Sequence, residues 1–235
     1  MDIQQLISID KDLLLQWSGS DSVFWDGFMW VATSTVIWIP AGLVLLYIII
    51  KNDRPSKALF TVLMMAVVVV IAHVVASEVC KPYFARFRPT HDPFIMYLVD
   101  IVNDYRGDIY GFISGHATNT FSLSMFSSLV IRRKSFTVSM FAWAVLHTYT
   151  RIYLGLHYPG DILFGAIVGL IVGMAMYFLY RWLYKRLFPE THFSPIRYVS
   201  KRYVTEDLKV FYFTLILTLI AILLLAIWFG YRLYS

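Results

Sequence analysis

The sequence predicts an all-α, polytopic membrane protein, and three observations carry this prediction. Of 235 residues, 59% are hydrophobic and 15% are charged, whereas ordinary soluble domains have roughly 45–50% apolar and 25% charged residues. The mean hydropathy is +0.65. The apolar residues also cluster into segments of about 20, the length that a helix needs to cross the hydrocarbon core of a bilayer. Much of this apolar surface must therefore face lipid.

Six segments are predicted to be transmembrane helices. They are residues 27–50, 58–77, 113–131, 135–149, 162–180 and 211–231. The fourth is short, and we expect it to continue past Tyr149 toward Leu154. Helices are preferred because open backbone cannot face lipid, and no segment shows the alternation of a membrane strand. The prediction is one membrane domain over residues 1–235, with its motif core at about 58–182.

The charged connections predict the orientation. Lysine and arginine concentrate in three alternate connections, within 51–57, 132–134 and 181–209. By the positive-inside rule these connections are cytoplasmic. Segments 81–112 and 151–161 and both termini are then external, which in a bacterium places that face outside the cytoplasmic (inner) membrane.

Two further segments look amphipathic. Residues 1–23 combine apolar positions with acidic and amide residues, so we expect a helix that lies in the membrane interface. Residues 92–104 of the long external loop show a similar apolar stripe. Three glycines at four-residue spacing, Gly165, Gly169 and Gly173, predict close helix packing in the fifth span.

Other classes are excluded by the charge pattern and the cysteine count. The formal net charge is +5, but the basic residues lie between apolar spans, so no nucleic-acid partner is expected. The single cysteine, Cys80, excludes an internal disulfide. The N-terminal segment lacks a basic region followed by an uninterrupted apolar stretch, so a cleaved signal peptide is not expected.

Three polar clusters fall on the same predicted side of the membrane. They occupy residues 81–89, 114–116 and 151–161. Charged groups at a membrane boundary are costly unless they are paired or solvated, so their convergence predicts a functional site. Lysine and the guanidinium forks of arginine bind phosphate oxygens, and a glycine at a helix start gives an anion access to backbone N–H groups. The clusters also hold two histidines and a carboxylate, the types needed for a nucleophile, an acid and an orienting group.

These clusters resemble the three-part pattern of the type 2 phosphatidic acid phosphatase superfamily, which also contains vanadium-dependent haloperoxidases. The first part is Lys81-x6-Arg88-Pro89, as in the family. The second is Ile113-Ser114-Gly115-His116, with isoleucine in place of proline. The third is Thr150-Arg151-x5-His157-x3-Asp161, with threonine in place of serine. Neither departure removes a catalytic group. The resemblance covers the second to the fifth predicted spans.

The resemblance implies a role for each matched residue. His157 would be the nucleophile and form a phosphohistidine, Asp161 would orient it, and His116 would protonate the leaving oxygen. The phosphoryl oxygens would be bound by Lys81, Arg88, Ser114, Gly115 and Arg151. Neither a metal nor another cofactor is implied, because the cations supply the electrostatic stabilisation.

The remaining polar residues have structural interpretations. His73 and His147 are expected to be packing residues. Glu78 lies one helical turn before Lys81, and an ion pair that positions the lysine is predicted. Two roles remain open for Arg86: it either joins the phosphate site or contacts lipid headgroups.

The predicted function is therefore an integral membrane lipid phosphatase. Undecaprenyl diphosphate, phosphatidylglycerol phosphate, phosphatidic acid and the phosphates of lipid A all remain candidate substrates, and the oligomeric state stays open. One alternative is a lipid phosphotransferase, which passes the phosphate to a second lipid. Another is a non-enzymatic transporter of anions or lipids, although transport would require no nucleophile.

Overall fold

The computed structural model describes residues 2–188 and 205–233, and within these ranges the chain is all-α, as the sequence predicts. The helices are α1 (Ile3–Trp17), α2 (Val23–Ala32), α3 (Ile39–Lys51), α4 (Pro55–His73), α5 (Lys81–Phe84), α6 (Gly115–Ile131), α7 (Lys134–Tyr153), α8 (Pro159–Leu187) and α9 (Thr205–Leu233). A π-helical stretch, Val74–Cys80, joins α4 to α5. Short 3₁₀ turns lie at Val36–Trp38, Pro89–His91 and Val102–Asp104.

Three helices are long and apolar enough to cross a membrane by length and composition. They are Pro55–Phe84, Pro159–Leu187 and Glu206–Arg232, and the bent pair Val23–Ala32 and Val36–Lys51 makes a fourth if it forms one span. Helix α6, with 17 residues, and α7 are not among them. The prediction of six spans is thus supported for up to four segments and stays a prediction for the other two.

We expected one straight helix for the first predicted span. The structure instead has two helices with a bend of 66° between them. Helix α2 ends at Ala32, and its last carbonyl accepts a hydrogen bond from Trp38 Nε1 at 2.9 Å. Pro40 lies in the first turn of α3, where its missing N–H costs nothing. The bend therefore keeps its backbone satisfied, and it leaves Thr33 at the corner beside α7.

Helix α6 lies at the centre of the bundle, in contact with α4, α7 and α8. The predicted packing role of the glycine stripe on α8 is confirmed. A Cβ atom on Gly169 would lie 2.6 Å from the Thr118 carbonyl oxygen, and one on Gly173 would lie 2.5 Å from that of Ser122. This close approach brings the starts of α6 and α8 together, where the Ser114 N–H donates to the Asp161 carbonyl at 3.1 Å.

The two predicted amphipathic segments differ in outcome. Residues 3–17 form α1, with Leu14 buried and Ile3 and Leu6 exposed, as expected for an interfacial helix. Residues 92–104 do not form the expected helix but a series of turns. The Asp92 carboxylate accepts the Phe94 N–H at 3.0 Å, and this local bond competes with helical hydrogen bonding.

The charged connections lie at the end of the bundle away from the three motifs. There Lys51 Nζ lies 2.6 Å from Asp207 Oδ1, which joins the end of α3 to the start of α9. Residues 189–204, which carry part of the third basic connection, lie outside the described residues. The relative placement of motifs and basic connections matches the prediction, while the side of the membrane on which each lies stays a prediction.

Candidate active site

A short antiparallel contact positions the first motif. Helix α5 runs from Lys81 to Phe84, and the residue after it, Ala85, has a left-handed φ of 44°. The chain then pairs with residues 109–111: the Arg88 N–H donates to the Ile109 carbonyl and the Gly111 N–H to the Arg86 carbonyl, both at 2.9 Å. This pairing holds the two arginines against the segment that leads into α6.

Two arginines of the motifs are buried and incompletely paired. Arg88 and Arg151 are each 4% exposed. Arg88 Nε donates to the Tyr110 carbonyl at 3.3 Å, and Arg151 NH1 donates to the Thr33 hydroxyl at 2.9 Å. In the part of the chain that the structure describes, Arg88 NH1 and Arg151 Nε have no hydrogen-bond partner. Leaving buried charged donors unsatisfied is costly, so these groups are suited to receive an anion.

Lys81 and Arg88 share one carboxylate, that of Asp108. The Asp108 Oδ2 atom lies 3.9 Å from Lys81 Nζ and 3.5 Å from Arg88 NH2, and its side chain is 82% exposed. Such long, solvent-screened pairs contribute little. The predicted ion pair between Lys81 and Glu78 is not a close contact, because among the described residues the carboxylate within 4 Å of Lys81 is Asp108. Glu78 is exposed, and it acts on Lys81 through its charge.

Ser114 and Gly115 form the start of α6. Ser114 is the N-cap, is fully buried, and its Oγ accepts the Ala117 N–H at 3.5 Å. Its hydroxyl hydrogen is left to donate, and helix N-termini favour anions. A Cβ atom on Gly115 would lie 3.6 Å from Ser77 Oγ and 4.0 Å from Ala76 Cβ, which are ordinary contact distances. Packing within the protein therefore does not require glycine at this position.

His157 and Asp161 form a buried pair at the start of α8. His157 Nδ1 lies 3.4 Å from Asp161 Oδ2, and that oxygen also accepts the Tyr158 N–H at 3.1 Å. Burial lowers the pKa of His157 well below its usual value, and the charges of Arg88 and Arg151 add to the effect, while a hydrogen bond with the Gly111 backbone opposes it. A neutral imidazole is the form that can act as a nucleophile.

Gly111 is a site residue that the sequence reasoning missed. A Cβ atom there would lie 3.0 Å from Arg88 Cγ, 3.1 Å from Asp161 Oδ2 and 3.4 Å from His157 Nδ1. A side chain at this position would require at least one of these three groups to move by a few tenths of an ångström. Its position two residues before the second motif gave no separate signal.

The other two histidines near the centre of the bundle lie side by side. His116 is half-buried on α6, within electrostatic reach of Arg151 and His157. Its ring centroid lies 5.4 Å from that of His147, which also stacks on Trp38. His147 is buried among these rings, in line with its predicted packing role, whereas His73 is exposed.

Arg86, left open by the sequence, lies against carboxylates. Its NH1 is 2.8 Å from Asp161 Oδ1 and its NH2 is 2.7 Å from Asp10 Oδ2. It therefore belongs to the surroundings of Asp161. Its position two residues before Arg88 was the available sequence signal, while Asp10 lies 76 residues away and gave none.

The structure thus brings the eight predicted site residues to one end of the bundle, although their roles stay predictions. No three His, Cys, Asp or Glu side chains of residues 2–188 and 205–233 are grouped as metal ligands. Independence of a metal is likewise a prediction. Fold and site together define a helical membrane protein with two buried arginines and a buried His–Asp pair at one end of the bundle.

Comparison with known proteins places this class in a family. Residues 57–187 match the PAP2 superfamily, and the chain belongs to it, which confirms the resemblance seen in the motifs. The chain is 40% identical over 190 residues to the lipid A 4'-phosphatase of Bacteroides thetaiotaomicron, covering 80% of this chain and 84% of that protein. It is 36% identical over 186 residues to the lipid A 4'-phosphatase of Porphyromonas gingivalis, covering 77% and 79%. No solved structure is a significant match.

Membership in the family, the names of these relatives and the apolar helices make the protein a membrane lipid phosphatase.

Proposed function

We propose that this protein removes a phosphate from lipid A, at the extracytoplasmic face of the bacterial inner membrane, through a phosphohistidine intermediate. The observation that carries the proposal is the pair of buried arginines, Arg88 and Arg151, which have unpartnered nitrogens and whose charges act on His157 of the His157–Asp161 pair. The names of the two relatives favour lipid A over the other lipid phosphates that the sequence leaves open.

In the first step the free ring nitrogen of His157 attacks phosphorus. The new P–N bond forms as the P–O bond to the sugar breaks, and His116 gives its proton to the leaving oxygen. Asp161, near Nδ1, orients the ring and stabilises the positive charge that develops on it, as the carboxylate does in other His–Asp pairs.

In the second step water hydrolyses the phosphohistidine. His116, now neutral, takes a proton from the attacking water, the P–N bond breaks, and inorganic phosphate leaves. Through both steps Lys81, Arg88 and Arg151 stabilise the charge on the equatorial oxygens, with help from the Ser114 hydroxyl and the Gly115 N–H. Because these groups are preorganised for that charge, the mechanism requires no metal ion.

The test measures phosphate release by the purified protein in excess chelator. The substrates are lipid A, phosphatidic acid, phosphatidylglycerol phosphate and undecaprenyl diphosphate. The variant is His157→Ala, and the matched control is His73→Ala, which removes an exposed histidine from α4. We expect release from lipid A that survives chelation, is lost in His157→Ala and is retained in His73→Ala.

Each other outcome overturns a defined part of the proposal. Preference for another lipid would reject the substrate, and loss of release in chelator would reject the metal-free mechanism. Equal release by His157→Ala would reject the nucleophile. Labelled phosphate that appears in a second lipid rather than in solution would make the protein a phosphotransferase.

A further inference from the structure

Helix α1 lies outside the region that matches the family, residues 57–187, and yet it reaches the candidate active site. Asp10 Oδ2 lies 2.7 Å from Arg86 NH2, and Asp10 Oδ1 accepts the Gly160 N–H at 2.7 Å. The side chain of Asp10 is 15% exposed, unlike the exposed Asp12 two residues further on. The carboxylate of Asp10 on α1 is thus bonded through one oxygen to the start of α8 and through the other to Arg86.

Arg86 connects Asp10 to the pair that contains the nucleophile. Its two terminal nitrogens bind different carboxylates, NH2 that of Asp10 and NH1 that of Asp161, at 2.7 and 2.8 Å. Its guanidinium also lies 4.0 Å from the centre of the Tyr158 ring. Asp161 uses its other oxygen toward His157. The result is a continuous series of charged contacts, Asp10–Arg86–Asp161–His157.

A second contact from α1 holds the opposite side of Tyr158. Lys11 Nζ lies 2.8 Å from Asp92 Oδ2, which also accepts the Tyr158 hydroxyl hydrogen at 2.8 Å. Burial raises the pKa of Asp92, but the hydrogen bonds from Lys11, the Phe94 N–H and Tyr158 outweigh it, and the net pKa lies below the usual value. Adjacent residues of opposite charge, Asp10 and Lys11, therefore each hold a group that contacts Tyr158, the residue that follows His157.

We propose that Asp10 is a positioning residue of the active site, acting through Arg86 on Asp161. The inference rests on the proposed function of His157 as nucleophile. A guanidinium that binds two carboxylates attracts each of them less strongly than one that binds Asp161 alone. With Asp10 present, the charge of Asp161 is therefore less fully neutralised by Arg86. Asp161 can then accept a hydrogen bond from the charged ring of His157 and stabilise that ring. Since Asp10 contacts none of the phosphate-binding residues, its loss should lower kcat and leave KM nearly unchanged.

The experiment is a double-mutant cycle on the full-length protein, with phosphate release from lipid A as the readout. Asp10→Asn keeps the size of the side chain and an acceptor for Gly160 but removes the charge, and Asp12→Asn is the matched control. Arg86→Lys keeps the positive charge but cannot bridge two carboxylates with a planar fork. We expect Asp10→Asn to lower kcat about tenfold, as losses of outer orienting partners do, and Asp12→Asn to leave it unchanged.

The cycle separates positioning from mere support of the fold. If Asp10 acts through Arg86, Asp10→Asn should cause almost no further loss of kcat in the Arg86→Lys background. An equal loss in both backgrounds, a wild-type kcat for Asp10→Asn, or an effect on KM alone would overturn the inference. If Asp10→Asn does not fold, Arg86→Lys decides: a wild-type kcat for that variant overturns it, and a reduced kcat with unchanged KM supports it.

Failure of the proposed function gives a different pattern. If the unmutated protein and the Asp12→Asn control both release no phosphate, then the function is wrong and the inference falls with it. If both are active and only the behaviour of Asp10→Asn departs from expectation, the function stands and the inference alone is wrong.

Discussion

Charged groups at the two ends of the bundle differ in how completely they are paired. At the end away from the motifs, both oxygens of Asp207 are satisfied, by Lys51 at 2.6 Å and by Asn52 at 2.9 Å. At the motif end, buried Arg88 and Arg151 retain unpartnered nitrogens, and the acid paired with Arg88, Asp108, is exposed. A carboxylate with a full set of partners can join two helices but offers nothing to a ligand. An open group of buried cations is poorly suited to holding the fold and well suited to binding phosphate.

The largest effect expected from this contrast follows loss of a phosphate-binding cation. Arg151→Gln should lower kcat/KM by about 10²–10³, the usual effect of removing one preorganised donor from a developing negative charge. It should also weaken inhibition by vanadate, which mimics phosphate. Phosphate-release kinetics and vanadate titration measure both effects. Wild-type sensitivity to vanadate in Arg151→Gln would show that the arginine does not bind the phosphoryl group.

The pH dependence sharpens the same contrast. The pKa of His157 is lowered, so its neutral form persists well below the ordinary value near 6.5. The acid limb of kcat/KM that belongs to His157 should therefore lie well below pH 6.5. Arg88→Gln should move this limb to higher pH, because it removes one of the positive charges that disfavour protonation. A pH–rate profile that does not shift in Arg88→Gln would contradict this electrostatic account.

A smaller effect is expected at Gly111. In Gly111→Ala the new methyl group would displace Arg88, Asp161 or His157 by a few tenths of an ångström. Misplacement of about 1 Å can cost 10²-fold in rate, so a loss of about tenfold in kcat is expected. Gly42→Ala is the control, because a Cβ atom there meets nothing within 4 Å. Equal activity of the two variants would mean that the site tolerates a side chain at position 111.

The smallest effect is expected at the far end. Lys51→Gln removes one of the two partners of Asp207 but lies away from the motifs, and the lysine side chain is 50% exposed. Turnover should stay at the wild-type level, with a small decrease in the melting temperature. Parallel activity and thermal-unfolding measurements check this. A large loss of turnover would contradict the conclusion that this end of the bundle has no part in catalysis.

The orientation is tested by cysteine labelling in a Cys80→Ser background. Tyr97 is 85% exposed at the motif end, and Arg54 is exposed at the other end. In intact cells an impermeant thiol reagent should label Tyr97→Cys and not Arg54→Cys. The reverse pattern would place the site on the cytoplasmic face.

The sequence was most informative where partners are close along the chain. The His157-x3-Asp161 spacing is one helical turn, and the structure joins these two residues at the start of α8. The glycine stripe likewise predicted the close packing of α8 on α6. Hydrophobic periodicity was less reliable where local hydrogen bonds compete with it. Residues 92–104 form turns, and the Asp92 side chain accepts a hydrogen bond there. The first predicted span bends where the Trp38 indole N–H donates to the carbonyl of Ala32.

The sequence by itself determined the fold class, the family and the types of group that meet at the site, because composition and motif spacing are local properties of the chain. Only the tertiary structure decided that Arg86 binds carboxylates, that Gly111 fills the space between Arg88 and His157, and that Asp10 completes the surroundings of Asp161. These partners come from segments far apart in sequence. Their meeting depends on how the helices pack, since charge and size at a single position do not specify which distant group will lie beside it.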